Sequence, residues 1–220
     1  MTERALVVLS GGQDSTTCLY WAIDRFGLAE TRALSFDYGQ RHRIELDCAR
    51  GVAAFAGVDH TILPVDTFSA LGGNALTDDS IAVGQAPERG LPATFVPGRN
   101  LIFLTYAAAF CWPREIRHIV TGVAQTDYSG YPDCRRETID ALAVALRLGM
   151  EMEFEIHTPL MSRTKAQTVL LAQELGCLEA LALTHTCYEG MRPPCGRCDA
   201  CRLRAKGFTE AGLADPLLAE

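Results

Sequence analysis

The chain has no long hydrophobic run. Its longest apolar stretch, near residues 101–112, is interrupted by Thr105 and Tyr106 and fits a buried helix better. A membrane-spanning helix needs about 20 consecutive apolar residues. The apolar run near the N-terminus covers only residues 5–9, too few for the hydrophobic region of a secretory signal peptide. We therefore expect a cytoplasmic protein with no membrane partner.

An excess of positive charge is also missing. The chain carries 20 lysine and arginine residues against 27 aspartate and glutamate residues, which gives a formal net charge of -7. Proteins whose main partner is nucleic acid need clustered basic side chains to face the phosphate backbone. The charge balance argues against nucleic acid as a partner, although it allows a local basic pocket.

Low-complexity sequence is absent as well, and 48% of the 220 residues are hydrophobic, enough to bury a core. Short β-prone segments alternate with amphipathic ones. The pattern predicts strands near residues 4–9, 32–36, 60–65, 118–123 and 154–158, and helices near residues 15–26, 40–56, 100–112, 136–148 and 162–175. Ser162 is the expected N-cap of the last helix, and Gly176 follows its last turn. Residues 68–94 are predicted to form a long loop.

Strands that alternate with helices predict an α/β fold, in which a parallel sheet is covered by helices on both faces. Ligands of such sheets bind beyond the carboxyl ends of the strands. We expect one α/β domain over residues 1–184 and a small metal-binding segment over residues 185–220, packed on that domain.

The first strand is followed by the loop Ser10-Gly11-Gly12-Gln13-Asp14-Ser15. It is neither a Walker A loop nor a dinucleotide-binding fingerprint. Adjacent glycines, hydroxyl groups and a following helix N-terminus are nevertheless the features of a phosphate-binding loop, although a plain strand–helix turn remains the alternative. Asp14 is expected either to place Mg²⁺ or to cap the helix. The predicted nucleotide-binding residues are Val8, Leu9, Ser10, Gly11, Gly12, Gln13, Asp14, Ser15, Thr16, Thr17 and Cys18.

Four of the nine cysteines crowd the C-terminal part of the chain: Cys187, Cys195, Cys198 and Cys201. Short Cys-x2-Cys spacings are the usual way to present thiolates to a structural Zn²⁺, and four ligands would complete its shell. Nearby arginines, including Arg192 and Arg204, would offset the negative charge of a zinc–tetrathiolate centre. The spacing is also compatible with an iron–sulfur cluster. We expect one structural zinc per chain.

Further segments are similar to one family. They are Ser35 to His42, Val96 to Asn100, Asp127 to Arg135, Thr158 to Leu160, and the cysteine segment from Thr186 to Arg204. The Ser-Gly-Gly-x-Asp-Ser loop resembles that of the N-type ATP pyrophosphatases. Taken together and in this order, the segments resemble the 7-cyano-7-deazaguanine synthases of queuosine biosynthesis, over about residues 5–208.

The resemblance implies a fold like that of the adenine-nucleotide α-hydrolases and an ATP-dependent carbon–nitrogen ligase. Its reaction would turn 7-carboxy-7-deazaguanine and ammonia into 7-cyano-7-deazaguanine through adenylated intermediates. ATP, Mg²⁺ and the small substrates are the implied partners, and the protein would be a homodimer. The implied catalytic residues are Asp14, Ser15 and Lys165, and Asp37 would help to hold the nucleoside. The implied substrate-binding residues are Arg99, Asn100, Asp127, Tyr128, Tyr131 and Asp133.

Three other interpretations stay open at this point. The chain could be another ligase with a pyrophosphate-binding loop, a tRNA thiolase that adenylates a base, or a zinc-ribbon module that binds nucleic acid. The roles of His42 and Cys134, the source of ammonia and the nucleotide products are not fixed by the sequence.

Overall fold

The computed structural model describes residues 3–40, 43–72, 74–77, 81, 91–125 and 131–218. Its five strands are β1 Ala5–Val8, β2 Thr31–Asp37, β3 Asp59–Pro64, β4 His118–Val120 and β5 Glu155–His157. They form one parallel sheet in the order β3-β2-β1-β4-β5. Strands β2 and β3 thus lie on one side of β1, and β4 and β5 lie on the other. This reversal of the strand order opens a crevice at the carboxyl ends of β1 and β4.

In the described part of the chain, seven α-helices surround the sheet. They are α1 Gln13–Phe26, α2 Ile44–Ala56, α3 Thr67–Leu71, α4 Arg99–Cys111, α5 Arg136–Met150, α6 Lys165–Glu174 and α7 Asp199–Ala211. Short 3₁₀ turns lie at Leu28–Glu30, Trp112–Arg114, Pro132–Cys134, Glu179–Leu183 and Pro216–Leu218. No helix among the described residues is long and apolar enough to cross a membrane.

Successive side chains along a strand point to opposite faces of the sheet, so the core has two layers. Leu6 and Ile119 point to the face covered by α4 and α5, whereas Ala5, Val7 and Val120 point to the face covered by α1 and α2. Strand β1 and residues 119–120 of β4 are buried on both faces, which explains why their sequences are continuously apolar rather than alternating. The prediction of a parallel sheet between two helical layers is confirmed.

The structure corrects several predicted boundaries. Helix α2 begins at Ile44 rather than near residue 40, and the N-cap of α6 is Thr164 rather than Ser162. Thr164 makes a capping box with Gln167, in which each side chain bonds the other residue's backbone N–H. Gly176 has φ +67° after the last turn of α6, as expected. Within the predicted loop at 68–94, the described residues include the end of α3.

Helix α7 was not predicted. It packs against α6 through a small third core that contains Val169, Ala172 and Phe208. Its N-cap is Cys198, so the last two cysteines of the cluster lie at and just inside the start of a helix. The cysteine segment is thereby joined to the α/β domain through α6. The expected division at residues 184 and 185 stays a prediction.

Candidate active site

A cavity of about 330 Å³ lies at the carboxyl ends of β1, β2 and β4. One wall is the loop after β1, with Ser10, Gly12, Gln13, Asp14 and Ser15. Other walls come from the start of α2, the start of α4, Lys165 at the start of α6, and the segment that leads to the cysteine cluster. Segments far apart in sequence therefore meet at the crevice that the strand order creates.

The loop is held in shape by its own hydroxyl groups. The backbone N–H of Ser10 donates to Ser15 Oγ at 3.1 Å, and Ser15 Oγ donates to the carbonyl oxygen of Gly12, also at 3.1 Å. Gly12 is the N-cap of α1, and no side chain caps the helix there. The first N–H groups of α1 are consequently not occupied by a capping side chain, as a phosphate-binding helix start requires.

The two glycines of the loop have different tasks. Gly11 has φ +82°, and a Cβ atom there would lie 2.3 Å from the carbonyl oxygen of Glu45 in α2. A Cβ on Gly12 would meet nothing closer than 3.5 Å. Gly11 is therefore required for close packing of the loop on α2, and of the two only Gly12 lines the cavity.

Asp14 and Lys165 form an ion pair inside the cavity. Lys165 Nζ lies 2.5 Å from Asp14 Oδ2, and the two side chains are only 13% and 28% exposed. The structure thus does not use Asp14 as a helix cap. The other carboxylate oxygen, Oδ1, and the amide nitrogen Nε2 of Gln13 are buried and lack a hydrogen-bond partner among the described residues. A buried acceptor and a buried donor without partners fit a site whose ligand brings a cation and phosphate oxygens.

Three predicted nucleotide-binding residues lie beneath the loop instead. Thr16, Thr17 and Cys18 are fully buried, and none of them is among the described residues that line the cavity. The Thr16 hydroxyl donates to the carbonyl oxygen of Gly12 and the Thr17 hydroxyl to that of Gln13. The hydroxyls of Thr16 and Thr17 stabilise the first turn of α1 rather than face a ligand.

Asp37, at the end of β2, is also outside the cavity lining and accepts a hydrogen bond from Arg43 Nη2 at 2.7 Å. Its neighbour Tyr38 does line the cavity. The structure therefore brings Tyr38 rather than Asp37 to the cavity, and the expectation that this segment holds the nucleoside stays a prediction.

Some of the predicted substrate-binding residues line the cavity, and another lies behind the cavity wall. Arg99, Asn100 and Tyr131 line the cavity. Asp133 is 4% exposed and accepts a hydrogen bond from the backbone N–H of Asn100, so it anchors the start of α4 and is not brought to the cavity surface. Cys134 lines the cavity and accepts a hydrogen bond from the Asn100 side chain at 3.3 Å. Asp127 and Tyr128 lie outside the described residues, as does His42.

Arg99 is a buried cation at this surface. Burial lowers its pKa, but the hydroxyls of Tyr38 and Tyr131 more than compensate, so the net shift of the Arg99 pKa is upward. Its Nη1 atom donates to the Tyr38 hydroxyl at 3.3 Å. Arg99 therefore stays charged and can bind an anionic group in the cavity.

Glu45 is a cavity residue that the sequence did not reveal. Burial raises the pKa of this carboxyl to about 7, although the charge of Arg99 acts in the opposite direction. A group with a pKa near the working pH can both accept and release a proton. No motif marks Glu45, because it is one acidic residue in the first turn of an ordinary amphipathic helix.

Aromatic rings form a second feature that was only partly predicted. Phe36 and Phe103 stack with ring centroids 4.3 Å apart, and Tyr38 lies 5.3 Å from Phe103. On the side of the cysteine segment, Tyr188 lines the cavity, and burial raises its pKa above the ordinary value. Flat apolar walls of this kind suit a purine-like bicycle.

The four predicted metal ligands converge. The sulfur atoms of Cys187, Cys195, Cys198 and Cys201 all lie within 4.8 Å of one another, and those of Cys195 and Cys201 are 3.9 Å apart. Four thiolates around a tetrahedral zinc, at a Zn–S distance of about 2.3 Å, would be separated by about 3.8 Å. Backbone N–H groups of Arg197 and Cys198 lower the pKa of Cys195 to about 6. The donor set therefore fits a single thiophilic metal ion.

The cysteine segment is also a wall of the cavity. His185, Thr186, Tyr188, Ala200 and Leu203 line it on this side. Arg204, one turn further along α7, forms a buried two-point ion pair with Asp215 at 2.7 and 2.8 Å. Arg192 donates to the Ala182 carbonyl oxygen. These two arginines have other partners, so the expectation that they serve to offset a metal centre's charge is not supported by their contacts.

Comparison with known proteins identifies the family. The profile of the family described as "Queuosine biosynthesis protein QueC" matches residues 4–212. The chain belongs to the QueC family. It is 68% identical over 218 residues to the 7-cyano-7-deazaguanine synthase of Chromobacterium violaceum, covering 98% of this chain and 93% of that protein. The enzyme of the same name from Lysinibacillus sphaericus is 51% identical over 210 residues, covering 94% of this chain and 95% of the relative.

Solved structures resemble this QueC-family chain in fold. A predicted tRNA methyltransferase subunit from Methanocaldococcus jannaschii has a TM-score of 0.51 and 18% identity, over 78% of this chain and 75% of that one. The U34-tRNA thiolase NcsA from Methanococcus maripaludis, solved with its [4Fe-4S] cluster, has a TM-score of 0.51 and 14% identity. The match covers 96% of this chain and 68% of that chain. At this identity the likeness shows the fold alone. The family resemblance inferred from the sequence is confirmed, and the chain is an enzyme.

Proposed function

We propose that this protein uses ATP to convert 7-carboxy-7-deazaguanine and ammonia into 7-cyano-7-deazaguanine. The family and the names of its relatives support the reaction. The observation that carries the ATP-dependent part is the cavity at the crevice. There the Ser10–Ser15 loop meets the Asp14–Lys165 pair and two buried atoms that have no hydrogen-bond partner among the described residues. The protein would therefore be a carbon–nitrogen ligase.

The nucleotide would bind with its phosphates on the loop after β1. N–H groups at the start of α1 and the amide of Gln13 would donate to phosphate oxygens, and Lys165 and Arg99 would add positive charge. Asp14 Oδ1 would hold a Mg²⁺ ion. When bound, that ion would neutralise charge on the phosphates and orient them. Tyr38, Phe103 and Tyr188 all line the cavity, and their rings would stack on the flat rings of the two substrates.

The chemistry follows from the weakness of a carboxylate as an electrophile. A substrate carboxylate oxygen would attack the α-phosphorus of ATP, and the bond to pyrophosphate would break. Ammonia would then attack the carboxyl carbon, and AMP would leave with the substrate oxygen, so that an amide and a proton result. A second ATP would activate the amide oxygen in the same way. Expulsion of this second AMP, with loss of the two N–H protons that remain on the amide nitrogen, would leave the nitrile.

Each round releases protons, and Glu45 is the candidate acceptor. Its pKa of about 7 places it between its charged and neutral forms near neutral pH. It lines the cavity together with Arg99, which would hold the substrate carboxylate before activation. Glu45 is therefore assigned a role as proton acceptor within this proposal.

The cysteine cluster would hold one structural zinc. Four cysteine ligands would leave no open position for chemistry, so its role would be to fix the segment that carries Tyr188 and Thr186 to the cavity. A four-iron cluster is larger than a single ion and would hold the sulfur atoms further apart. The close approach of the four sulfur atoms supports zinc over the iron–sulfur alternative.

The remaining expectations are the homodimer, the cytoplasmic location and the small-molecule partners, and they stay proposals. Exposed large side chains on α4 and α5 would suit a subunit contact: Tyr106 is 42% exposed and Leu148 72%. The molar mass in solution, measured by light scattering, tests the dimer.

The direct test is incubation of the purified protein with 7-carboxy-7-deazaguanine, ammonia and ATP, followed by mass spectrometry. We expect the nitrile, with no requirement for tRNA. Binding of tRNA at moderate salt would instead favour a base-modifying enzyme, because such an enzyme must hold its polynucleotide substrate. Absence of both nitrile and amide would overturn the proposed function.

A further inference from the structure

A second group of metal-ligating side chains lies on the edge strand β5 and at the start of its neighbour β4. His118 begins β4, Glu155 begins the neighbouring strand β5, and His157 ends β5. Because residues two apart on a strand share a face, Glu155 and His157 both point toward the side that His118 faces, under the C-terminal end of α1. The cluster shares no residue with the cavity lining or with the cysteine site.

The donor atoms of this cluster are close enough to share one ion. One nitrogen or oxygen from each side chain lies within 4.8 Å of the other two. His118 Nδ1 is 3.0 Å from His157 Nε2 and 3.5 Å from Glu155 Oε2. Ligand atoms bound at about 2.0–2.1 Å to one tetrahedral ion are separated by about 3.3 Å. The two separations from His118 Nδ1 bracket that value, and Glu155 Oε1 lies 3.5 Å from the other ring nitrogen of His157, Nδ1.

The surroundings hold the two imidazole rings in place. The side chains of His118 and His157 are only 13% and 9% exposed, whereas that of Glu155 is 61% exposed. The ring of Phe26 lies 4.9 Å from His118, and that of Trp21 lies 5.4 Å from His157. The second nitrogen of His118 faces Glu3, 3.8 Å away. A carboxylate behind a metal-bound histidine is the arrangement that fixes the ring's orientation in metal sites.

We propose that His118, Glu155 and His157 form a second metal site, for a divalent first-row transition-metal ion. Two imidazoles and one carboxylate suit Zn²⁺, Ni²⁺ or Co²⁺ rather than Mg²⁺ or Ca²⁺, which prefer oxygen ligands. In a tetrahedral shell, three protein ligands would leave one position for water. An ion there would join the edge strand β5 to β4 and so stabilise that edge of the sheet.

Nickel is the probe that separates this site from the cysteine cluster, because elemental analysis counts nickel and the thiolate-bound metal independently. Tag-free protein is dialysed to equilibrium against Ni²⁺ at increasing concentrations. We expect up to one nickel per chain, with the metal of the cysteine cluster retained. Glu155→Gln, His118→Asn and His157→Asn should each weaken nickel binding at least about tenfold. His60→Asn, on β3, should bind nickel like the unmodified protein.

Histidine NMR gives a readout that does not depend on the variants folding. The chain has only five histidines, and bound Ni²⁺ is paramagnetic. Imidazole signals of His118 and His157 should broaden as nickel is added, while those of His60 stay sharp. Nickel uptake that survives Glu155→Gln unchanged, or broadening that spares His118 and His157, would overturn the proposal. The cluster would then be a hydrogen-bonded histidine pair only.

Discussion

At the scale of single residues, the two carboxylate oxygens of Asp14 have different surroundings. Oδ2 accepts from Lys165, while Oδ1 is buried without a hydrogen-bond partner among the described residues. Leaving a buried acceptor unpaired costs about 1–3 kcal/mol. A bound ligand that supplies the missing partner would recover that cost, and this is the physical reason to place Mg²⁺ and phosphate here.

The substitution Asp14→Asn should therefore affect turnover far more than folding. We expect turnover to fall at least about a hundredfold, as when a charge-stabilising group is removed from an active site. The free energy of unfolding should change by only about 1 kcal/mol, since an amide of the same size keeps the packing. Asp47→Asn is the matched control, because that carboxylate is exposed and pairs with Arg50 on α2. Equal losses in both variants would contradict a specific role for Asp14.

Glu45 gives a prediction about pH. Its pKa is raised from 4.5 to about 7, so the folded state binds this proton more tightly than the unfolded chain does. Below pH 4.5 the Glu45 carboxyl is neutral in both states, so its burial does not reduce the free energy of unfolding. That free energy falls as the pH rises toward 7 and beyond, because the unfolded chain then releases the proton more readily than the folded state does. Glu45→Gln removes this dependence. The free energy of unfolding of the variant, measured relative to that of the unmodified protein, should rise by about 2 kcal/mol between pH 5.5 and pH 8.

Denaturant unfolding at the two pH values measures that difference. Glu153→Gln is the control, because Glu153 is an exposed side chain opposite Arg147. The control should show no comparable change with pH. A Glu45→Gln variant whose relative stability is the same at both pH values would show that Glu45 ionises normally.

At the scale of elements, the contact between α6 and α7 connects the cysteine segment to Lys165. A Cβ atom on Gly207 of α7 would lie 2.8 Å from Lys165 Cβ. The absence of a side chain at Gly207 therefore lets α7 approach α6 at the residue that pairs with Asp14. The two helices are positioned together, and Lys165 depends on both.

Gly207→Ala should consequently displace Lys165. Alanine in a helix interior is intrinsically favoured over glycine by about 1 kcal/mol, so any net loss of stability reports the clash. We expect lower stability and lower turnover together. Gly51→Ala is the matched control, because Gly51 lies in the middle of α2 and nothing is within 4 Å of the added Cβ atom. This substitution should raise the free energy of unfolding by about 0.5–1 kcal/mol. A gain of the same size at Gly207 would show that α6 and α7 have room to separate.

Loss of the metal should loosen α7 before it affects the sheet. Cys198 is both a proposed ligand and the N-cap of α7. In Cys198→Ala, we expect the bound zinc to fall from about one equivalent toward none. Amide hydrogen exchange should then speed up across residues 199–211, while β1 and β2 keep their protection. An iron–sulfur absorbance in the unmodified protein, or zinc retained at full occupancy in the variant, would contradict the assignment.

At the scale of the whole molecule, much of the fold could be predicted because its signals are local. Strands β1 and β2 are short, largely apolar runs ended by turn residues, and helices such as α1 and α5 have a periodic apolar face. Helix α7 was missed because its sequence is dominated by charged residues and by the cysteine spacing, which indicated a metal-binding turn. Nothing local shows that Phe208 packs on α6.

The candidate site could be predicted only where one segment carries it. The loop after β1 and the four cysteines are each contiguous, and both were found. Thr16 and Thr17 lie beneath the loop rather than in the cavity lining, because the helix turns their hydroxyls inward toward backbone carbonyl oxygens. Glu45, Phe103 and Tyr188 reach the cavity from three separate elements, and their convergence depends on the strand order.

The central claim is that this cavity activates a substrate oxygen by adenylation, and one measurement tests it most directly. The protein is given 7-carboxy-7-deazaguanine labelled with oxygen-18 in its carboxylate, together with ATP and ammonia, and the nucleotide products are analysed by mass. The loop lacks the lysine that serves γ-phosphoryl transfer in Walker A sites, so we expect AMP that carries the label, with two AMP and two pyrophosphate per nitrile. Label in inorganic phosphate, with ADP as the other product, would contradict adenylation.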